Sequence, residues 1–124
     1  MGDMASIAGN ELGRRGEDLA AEHLEGLGLV ILARNWRCRE GELDIVATDG
    51  LRRLVVCEVK TRSGDGFGSP FEAVTRGKRR KLRRLAHLYL AECKVPWVSV
   101  RFDVVGVLAR PGRTVELSHI VEAF

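Results

Sequence analysis

The chain has no apolar run near the roughly 20 residues that span a bilayer, and its first ten residues, MGDMASIAGN, lack the charged start and apolar stretch of a secretory signal. Its three cysteines, Cys38, Cys57 and Cys93, lie far apart with no C-x-x-C pair, which argues against a disulfide framework and against a zinc knuckle. Scattered thiols in odd number fit a reducing compartment, so a cytoplasmic protein without membrane contact is expected. There are no internal repeats, low-complexity tracts or linkers. The glycines at 64–68 are not followed by G-K-[ST], which argues against a phosphate-cradling loop and nucleotide hydrolysis. What is present suits a globular protein: 124 residues, 45% hydrophobic and 30% charged, room for one core. A flexible start over residues 1–9 and a single domain over 10–124 are expected.

The net charge of +3 says little, but its distribution says more. Residues 1–30 carry −4 and residues 61–94 carry +6. The positive charge is concentrated in Arg76, Lys78, Arg79, Arg80, Lys81, Arg83 and Arg84, seven basic residues within nine positions. A solvated helix face needs fewer. Such a cluster suits a polyanion, because each phosphate neutralised releases condensed counterions.

Hydrophobic spacing predicts the order α-β-β-β-α-β-β. A first helix is expected over Glu11–Leu27, with Asn10 as its N-cap and Gly28 as its stop. Its apolar stripe comprises Leu12, Gly16, Leu19, Ala20, His23, Leu24 and Leu27. At about 100° per residue, Glu17 falls on the border of that stripe, beside Ala20 and Leu24, while the other helix acids face away. Leu29–Ala33 predicts a strand, with 34–37 continuing or ending it. ELDIVAT (42–48) alternates, with Glu42, Asp44 and Val46 on one face and Leu43, Ile45 and Ala47 on the other. After the Asp49-Gly50 turn signal, RLVVCEVKT (53–61) is the most apolar strand and is expected at the sheet centre. Ser69-Pro70-Phe71-Glu72 opens a helix as a capping box with proline at the first helical position. An interruption near Thr75-Arg76-Gly77 is expected before it continues to Cys93, with Val74, Leu82, Leu85, Ala86, Leu88 and Tyr89 inward. Trp97–Val107 and Thr114–Ser118 predict the last two strands.

Glu58 and Lys60 interrupt the apolar strand at i and i+2 and so share a face. Asp44 interrupts its neighbour in the same way. Unpaired buried charge is costly, so these groups must face one another, water or a metal. Two close carboxylates suit a hard divalent cation, and an adjacent lysine could orient an attacking water. A lone E-x-K is weak. The combination of a helical glutamate, G-E-x-D on a strand, a hairpin turn and apolar-E-V-K on the next strand is much stronger.

Glu17, Asp44, Glu58 and Lys60, in this order and spacing, resemble the PD-(D/E)xK nuclease superfamily. Within it, the phrases NELGRRGEDLAAEHL, ARNWRCREGELDIVA, VVCEVKTR, AVTRGKRRKLRRLA and VRFDVVGV resemble the small bacterial YraN family of Holliday-junction-resolvase-like proteins, over about residues 10–124. The resemblance implies a restriction-endonuclease-like α/β sandwich, a central mixed sheet flanked by helices. It also implies a Mg²⁺- or Mn²⁺-dependent DNA endonuclease, a hydrolase of phosphodiester bonds acting on DNA that includes branched forms. Asp44 and Glu58 would bind the metal, with the backbone carbonyl of Val59. Lys60 would orient the nucleophilic water, and Glu17 would close the site by ordering water or a second ion. Glu42 matches no role. Leu43 stands where the superfamily's proline would be. Arg62 is expected at the rim with the basic residues of 76–84, contacting phosphate. Junction work would need two sites in antiparallel relation, hence a homodimer, with Trp97–Val107 the candidate edge, and targeting could come from another protein. The alternative is a nucleic-acid-binding module that keeps the fold and does not cleave.

Several other residues have plain structural expectations. Asp103 should pair with Arg101 or support a helix, and His23 should sit in the core or at its boundary. His87 and His119 read as structural or surface groups, and Trp36 and Trp97 as core anchors. One geometric expectation is sharper. A two-residue Asp49-Gly50 turn would pair Asp44 with Val55 and turn it away from Glu58. A shared site needs a three-residue loop or a bulge, and a three-residue connection, Gly50-Leu51-Arg52, is expected to set Asp44 opposite Glu58.

Overall fold

The computed structural model describes the backbone of residues 2–63, 70–94 and 99–124, and side chains of residues 11–63, 72–94 and 99–124. A helix over Gly2–Gly26 (α1) leads into strands Val30–Cys38 (β1), Gly41–Thr48 (β2) and Arg53–Arg62 (β3). A short 3-10 turn over Pro70–Ala73 precedes helix Arg76–Cys93 (α2), then strands Ser99–Leu108 (β4) and Glu116–Ile120 (β5). Among the described residues the strands form one sheet in the order β1-β2-β3-β4-β5. β3 and β4 run parallel, joined by the crossover through α2, and the other neighbours are antiparallel. The element order and the mixed α/β sandwich are those the spacing predicts, with β3 at the centre.

Each face of the sheet packs under one helix. Ala20, Ala21 and Leu24 of α1 cover Ile45, Ala47, Val55, Cys57, Val59, Val105 and Val107. Leu82, Leu85, Ala86 and Tyr89 of α2 cover Leu43, Val46, Leu54, Val56, Phe102 and Val104. Val74 is buried and Leu88 partly buried on this side, as expected. Trp36 anchors the same layer, edge-on to Tyr89 with its Nε1 donating to Glu92 at 2.6 Å. No helix among the described residues is long and apolar enough to cross a membrane.

Five expectations are corrected. Helix α1 continues back through Asn10 to Gly2, so Asn10 is interior and not its cap. Extending an existing helix adds one hydrogen bond per residue fixed, which a single side-chain cap signal does not prevent. At the other end Gly28, with φ +92, stops the helix as expected, but Leu27 falls past the last turn and is 58% exposed. The last strand lies two residues further along, at Glu116–Ile120. β4 is enclosed between β3 and β5, so it is not an edge that a second copy could extend; the edges are β1 and β5. Alternation in β2 also breaks: Leu43 packs with Val46 on the α2 side, whereas Ile45 and Ala47 pack under α1. Ser69 and Trp97 lie outside the described residues.

Candidate active site

The hairpin between β2 and β3 sets the register. Asp49 N–H reaches Arg53 O at 3.4 Å across a three-residue loop, Gly50-Leu51-Arg52. Gly50 and Arg52 both take positive φ, +83 and +65. Thr48 Oγ1 donates to Arg53 O at 2.9 Å and accepts from Gly50 N at 3.1 Å, while Asp49 Oδ1 accepts from Leu51 N at 2.8 Å. The ladder then runs from Thr48↔Leu54 to Ile45↔Cys57 and stops. Carried one step further, that register would set Asp44 opposite Glu58, and the two carboxyls are hydrogen-bonded to each other. There β2 parts from β3 while keeping its pairing with β1 as far as Cys38↔Gly41. At this fork Asp44 Oδ2 accepts the Val59 N–H at 2.9 Å, a side chain taking the place of a ladder partner.

Glu58 faces the α2 side, only 7% exposed. Its Oε1 lies 3.8 Å from both Lys60 Nζ and Lys78 Nζ. Burial, the hydrogen-bonded Asp44 carboxyl and its charge together push Glu58 up to about 8, against the pull of the two lysines. Lys60 is displaced downward, first by burial and then by Lys78 beside it, with Glu58 and Asp44 opposing. The lysine that α2 contributes sits in its first turn, where Thr75 caps the helix by accepting from Lys78 N at 3.2 Å. A cleft of about 330 Å³ opens over Glu58 and Lys78, lined also by Glu42, Asp44, Lys81, Leu82 and Leu85.

On the other side of Asp44, carboxylate oxygens of Glu17, Glu42 and Asp44 all lie within 4.8 Å of one another. Glu17 arrives there because α1 approaches β3 closely at Gly16, where a Cβ would collide with Thr61 Oγ1. Burial first, then Asp44, raise the Glu17 pKa; Arg34 opposes, and Glu42 and Asp18 add to the rise. The structure thus brings Glu17, Asp44, Glu58 and Lys60 to one fork, with Asp44 in the middle.

Two participants escape the sequence motif. Glu42 joins Glu17 and Asp44, although its alternate spacing with Asp44 was the one signal available. Asn35, whose neighbours in β1 pair with Ile45 and Leu43 on either side of Asp44, places its amide between Glu17 and Glu42. An asparagine inside a strand, a residue depleted there, was its only mark.

The basic residues do not form one uniform strip. Lys78 and Lys81 line the cleft. Arg84 Nε donates to Glu40 at 2.9 Å. Arg79 donates to Val74 O at 3.1 Å and stacks 5.6 Å over the Phe124 ring. Arg83 lies 5.4 Å over both Phe102 and Phe124, which are themselves stacked. Arg76 and Arg80 are exposed. Arg62, half-buried at the end of β3, donates to Thr61 O at 3.1 Å.

Away from the fork, Asp103 is paired with Arg101 as expected, through two 2.9 Å hydrogen bonds. It also meets His119 Nε2 at 2.7 Å, and His119 Nδ1 lies 3.0 Å from His23 Nε2. Cys57 is fully buried, and burial, Asp103, Asp44 and Glu58 all push its thiol far above the ordinary range.

A sequence profile of the uncharacterised protein family UPF0102 matches residues 16–107. A UPF0102 protein of Mycobacterium ulcerans is 51% identical over 119 residues, 95% of this chain and 98% of that protein. One from Mycolicibacterium smegmatis is 53% identical, covering 94% and 95%, and one from Nocardia farcinica is 54% identical, covering 91% and 88%. Among solved structures, Hjc, a Holliday junction resolvase from Archaeoglobus fulgidus, is similar with a TM-score of 0.45 and 18% identity, over 85% of this chain and 74% of that one.

Proposed function

We propose, from the premise that this chain belongs to the uncharacterised protein family UPF0102, that it is a divalent-metal-dependent endonuclease hydrolysing phosphodiester bonds in DNA, branched DNA included. The observation that carries this reading is the fork. It brings Asp44 beside Glu58 with Lys60 two residues on, and leaves a nearly buried carboxyl at about 8 hydrogen-bonded to a second carboxyl. Burial and the neighbouring Asp44 outweigh the two lysines there, so a further positive charge would be favoured. An all-oxygen donor set fits Mg²⁺ or Mn²⁺ and does not fit the softer metals.

Asp44 and Glu58 would hold the cation, with the Val59 carbonyl, and Glu17 and Glu42 would order its water. A bound cation of this kind supplies polarisation of a phosphoryl oxygen and a more acidic water. Lys60 orients the attacking water through Nζ and its charge offsets that developing at the phosphate; burial and the neighbouring Lys78 lower its pKa. Attack on phosphorus in line with the 3′-oxygen breaks that P–O bond and leaves a 5′-phosphate and a 3′-hydroxyl. Lys78 and Lys81, at the cleft wall, meet the phosphates on either side. Resolution of a four-way junction would take two such sites in antiparallel relation, which a homodimer supplies.

A second reading, a binding module that does not cleave, is favoured by one observation. Two ammonium groups already flank Glu58, where a cation's charge would otherwise be needed. The test is cleavage of labelled four-way junction, flap, single-stranded and linear duplex DNA with Mg²⁺, Mn²⁺ or EDTA, wild type beside Asp44→Ala. Product that needs the metal and vanishes in Asp44→Ala is expected. Salt-sensitive binding with no product on any substrate would replace this reading with the second.

A further inference from the structure

Asn35 departs from the strand that contains it. Its φ of +51 lies in the left-handed region, which asparagine tolerates better than most side chains. The kink changes which way β1 faces: Ala33 and Trp36, an odd number of residues apart, both pack on the α2-side core. It also turns the Asn35 side chain toward the acids. With the amide nitrogen facing these acceptors, Nδ2 donates to Glu17 Oε1 at 2.8 Å and to Glu42 Oε1 at 2.9 Å. An amide –NH₂ has two hydrogens, and each carboxylate takes one. Glu17 comes from α1 and Glu42 from β2, and no covalent proximity holds them together. Arginines also lie nearby, but they bind outward: Arg34 pairs with Asp18 at 2.7 Å, and Arg37, largely exposed, takes the other oxygen of Glu42 at 2.9 Å.

We propose that Asn35 is a positioning residue for this site, whose uncharged amide ties the Glu17 and Glu42 carboxylates together while leaving their negative charge available to a divalent cation. A lysine or arginine in its place would bridge the same oxygens and neutralise the site it assembles. The left-handed backbone is what aims the amide, so strand irregularity and carboxylate placement are one device. The inference rests on the metal-dependent reading above and adds to it a residue that touches neither DNA nor metal.

The test measures Mn²⁺ binding to the full chain by calorimetry for wild type, Asn35→Gly, Glu17→Gln and the double variant, with thermal unfolding recorded without metal. Glycine adopts the same φ freely, so Asn35→Gly removes the amide and keeps the backbone. Its Mn²⁺ affinity is expected to fall about tenfold to a hundredfold while Tm stays within a few degrees. The double variant is expected to lose much less than the two single losses combined, because both act on one carboxylate. If wild type binds Mn²⁺ and Asn35→Gly binds it equally well, the inference is overturned and the metal-dependent reading stands. If wild type shows no saturable binding, the metal-dependent reading falls and the inference falls with it. If Asn35→Gly does not fold, the side-chain amide resonances of Asn35 in ¹⁵N-labelled wild type decide. They are expected to move on Mg²⁺ titration with saturation; unmoved resonances overturn the inference.

Discussion

Asp103 and Glu58 lie one register step apart on neighbouring parallel strands, Cys57 pairing with Asp103 and Glu58 with Val104, and both are buried. Their surroundings differ. Asp103, fully buried under α1, takes both prongs of Arg101, His119 Nε2 and the backbone N–H of Glu122 at 3.1 Å. Its charge is matched and its oxygens are hydrogen-bonded. Glu58, on the opposite face, has two ammonium groups at 3.8 Å, a second carboxyl alongside and a cleft above it. A buried carboxylate that is fully partnered holds structure, and one left short of positive charge is ready for something that arrives. Burial alone does not separate the two; the kind and closeness of the partners do, hydrogen bonds of 2.7 to 3.1 Å on Asp103 against ammonium groups at 3.8 Å and a second carboxyl on Glu58.

The largest effect expected from this contrast is on Asp103. Asp103→Ala leaves the largely buried Arg101 without its counter-charge and His119 Nε2 without its hydrogen-bond partner, and should cost about 3–5 kcal/mol, read from urea unfolding. Asp44→Ala relieves crowding among the acids but leaves the Val59 N–H without its acceptor, so it should cost less, about 1–2 kcal/mol, while abolishing Mn²⁺-dependent cleavage. Equal destabilisation by the two variants would erase the distinction.

The next effect sharpens the comparison through pH. The Glu58 pKa is raised in the folded chain, so the folded state holds a proton that the unfolded state has given up above its ordinary value of 4.5. The stabilisation this brings is full below 4.5, declines as pH rises and is lost through about 8. Glu58→Gln keeps the neutral form at every pH and should raise stability at pH 8 by on the order of 2 kcal/mol, with little change at pH 4. Excess Mg²⁺ at pH 8 should raise the Tm of wild type and leave that of Glu58→Gln nearly unmoved.

Smaller again is the division of the basic helix. Arg79→Ala with Arg83→Ala removes cations stacked on Phe124 and Phe102 and should cost about 1 kcal/mol of stability. Lys78→Ala with Lys81→Ala should leave stability nearly unchanged and lower DNA affinity with a shallower salt dependence, measured by fluorescence anisotropy at several salt concentrations. The smallest effect belongs to His23, whose pKa is lowered by burial and by His119. The neutral ring is favoured in the folded chain, so stability is complete above the ordinary value of 6.5 and erodes as pH falls below it. A modest acid-side decline in Tm, absent in His23→Asn, is expected.

Much of this contrast was legible in the chain. Arg101 and Asp103 stand two apart on a strand, and a strand pair of opposite charge predicts itself. Charges at Asp44, Glu58 and Lys60 within apolar strands marked the site, and the requirement that they share a face chose the three-residue loop over the two-residue turn. Periodicity could not give the fork. Strict alternation put Leu43 with Ile45, and the observed break lies beside a left-handed residue in a different strand. For the same reason Glu42 had no assigned role and Asn35 none at all. The basic run was visible, but not its partition, because stacking on Phe124 joins residues more than forty positions apart.

The close approach of α1 to β3 carries a consequence for how such a chain can change over generations. Gly16 and Thr61 fill one shared space, so each sets the size the other is allowed. A bulkier residue at 16 would lift the helix and with it the neighbouring Glu17, and only a smaller residue at 61 could let it settle again. These two positions are therefore expected to drift together or not at all, although neither has any chemistry of its own to perform.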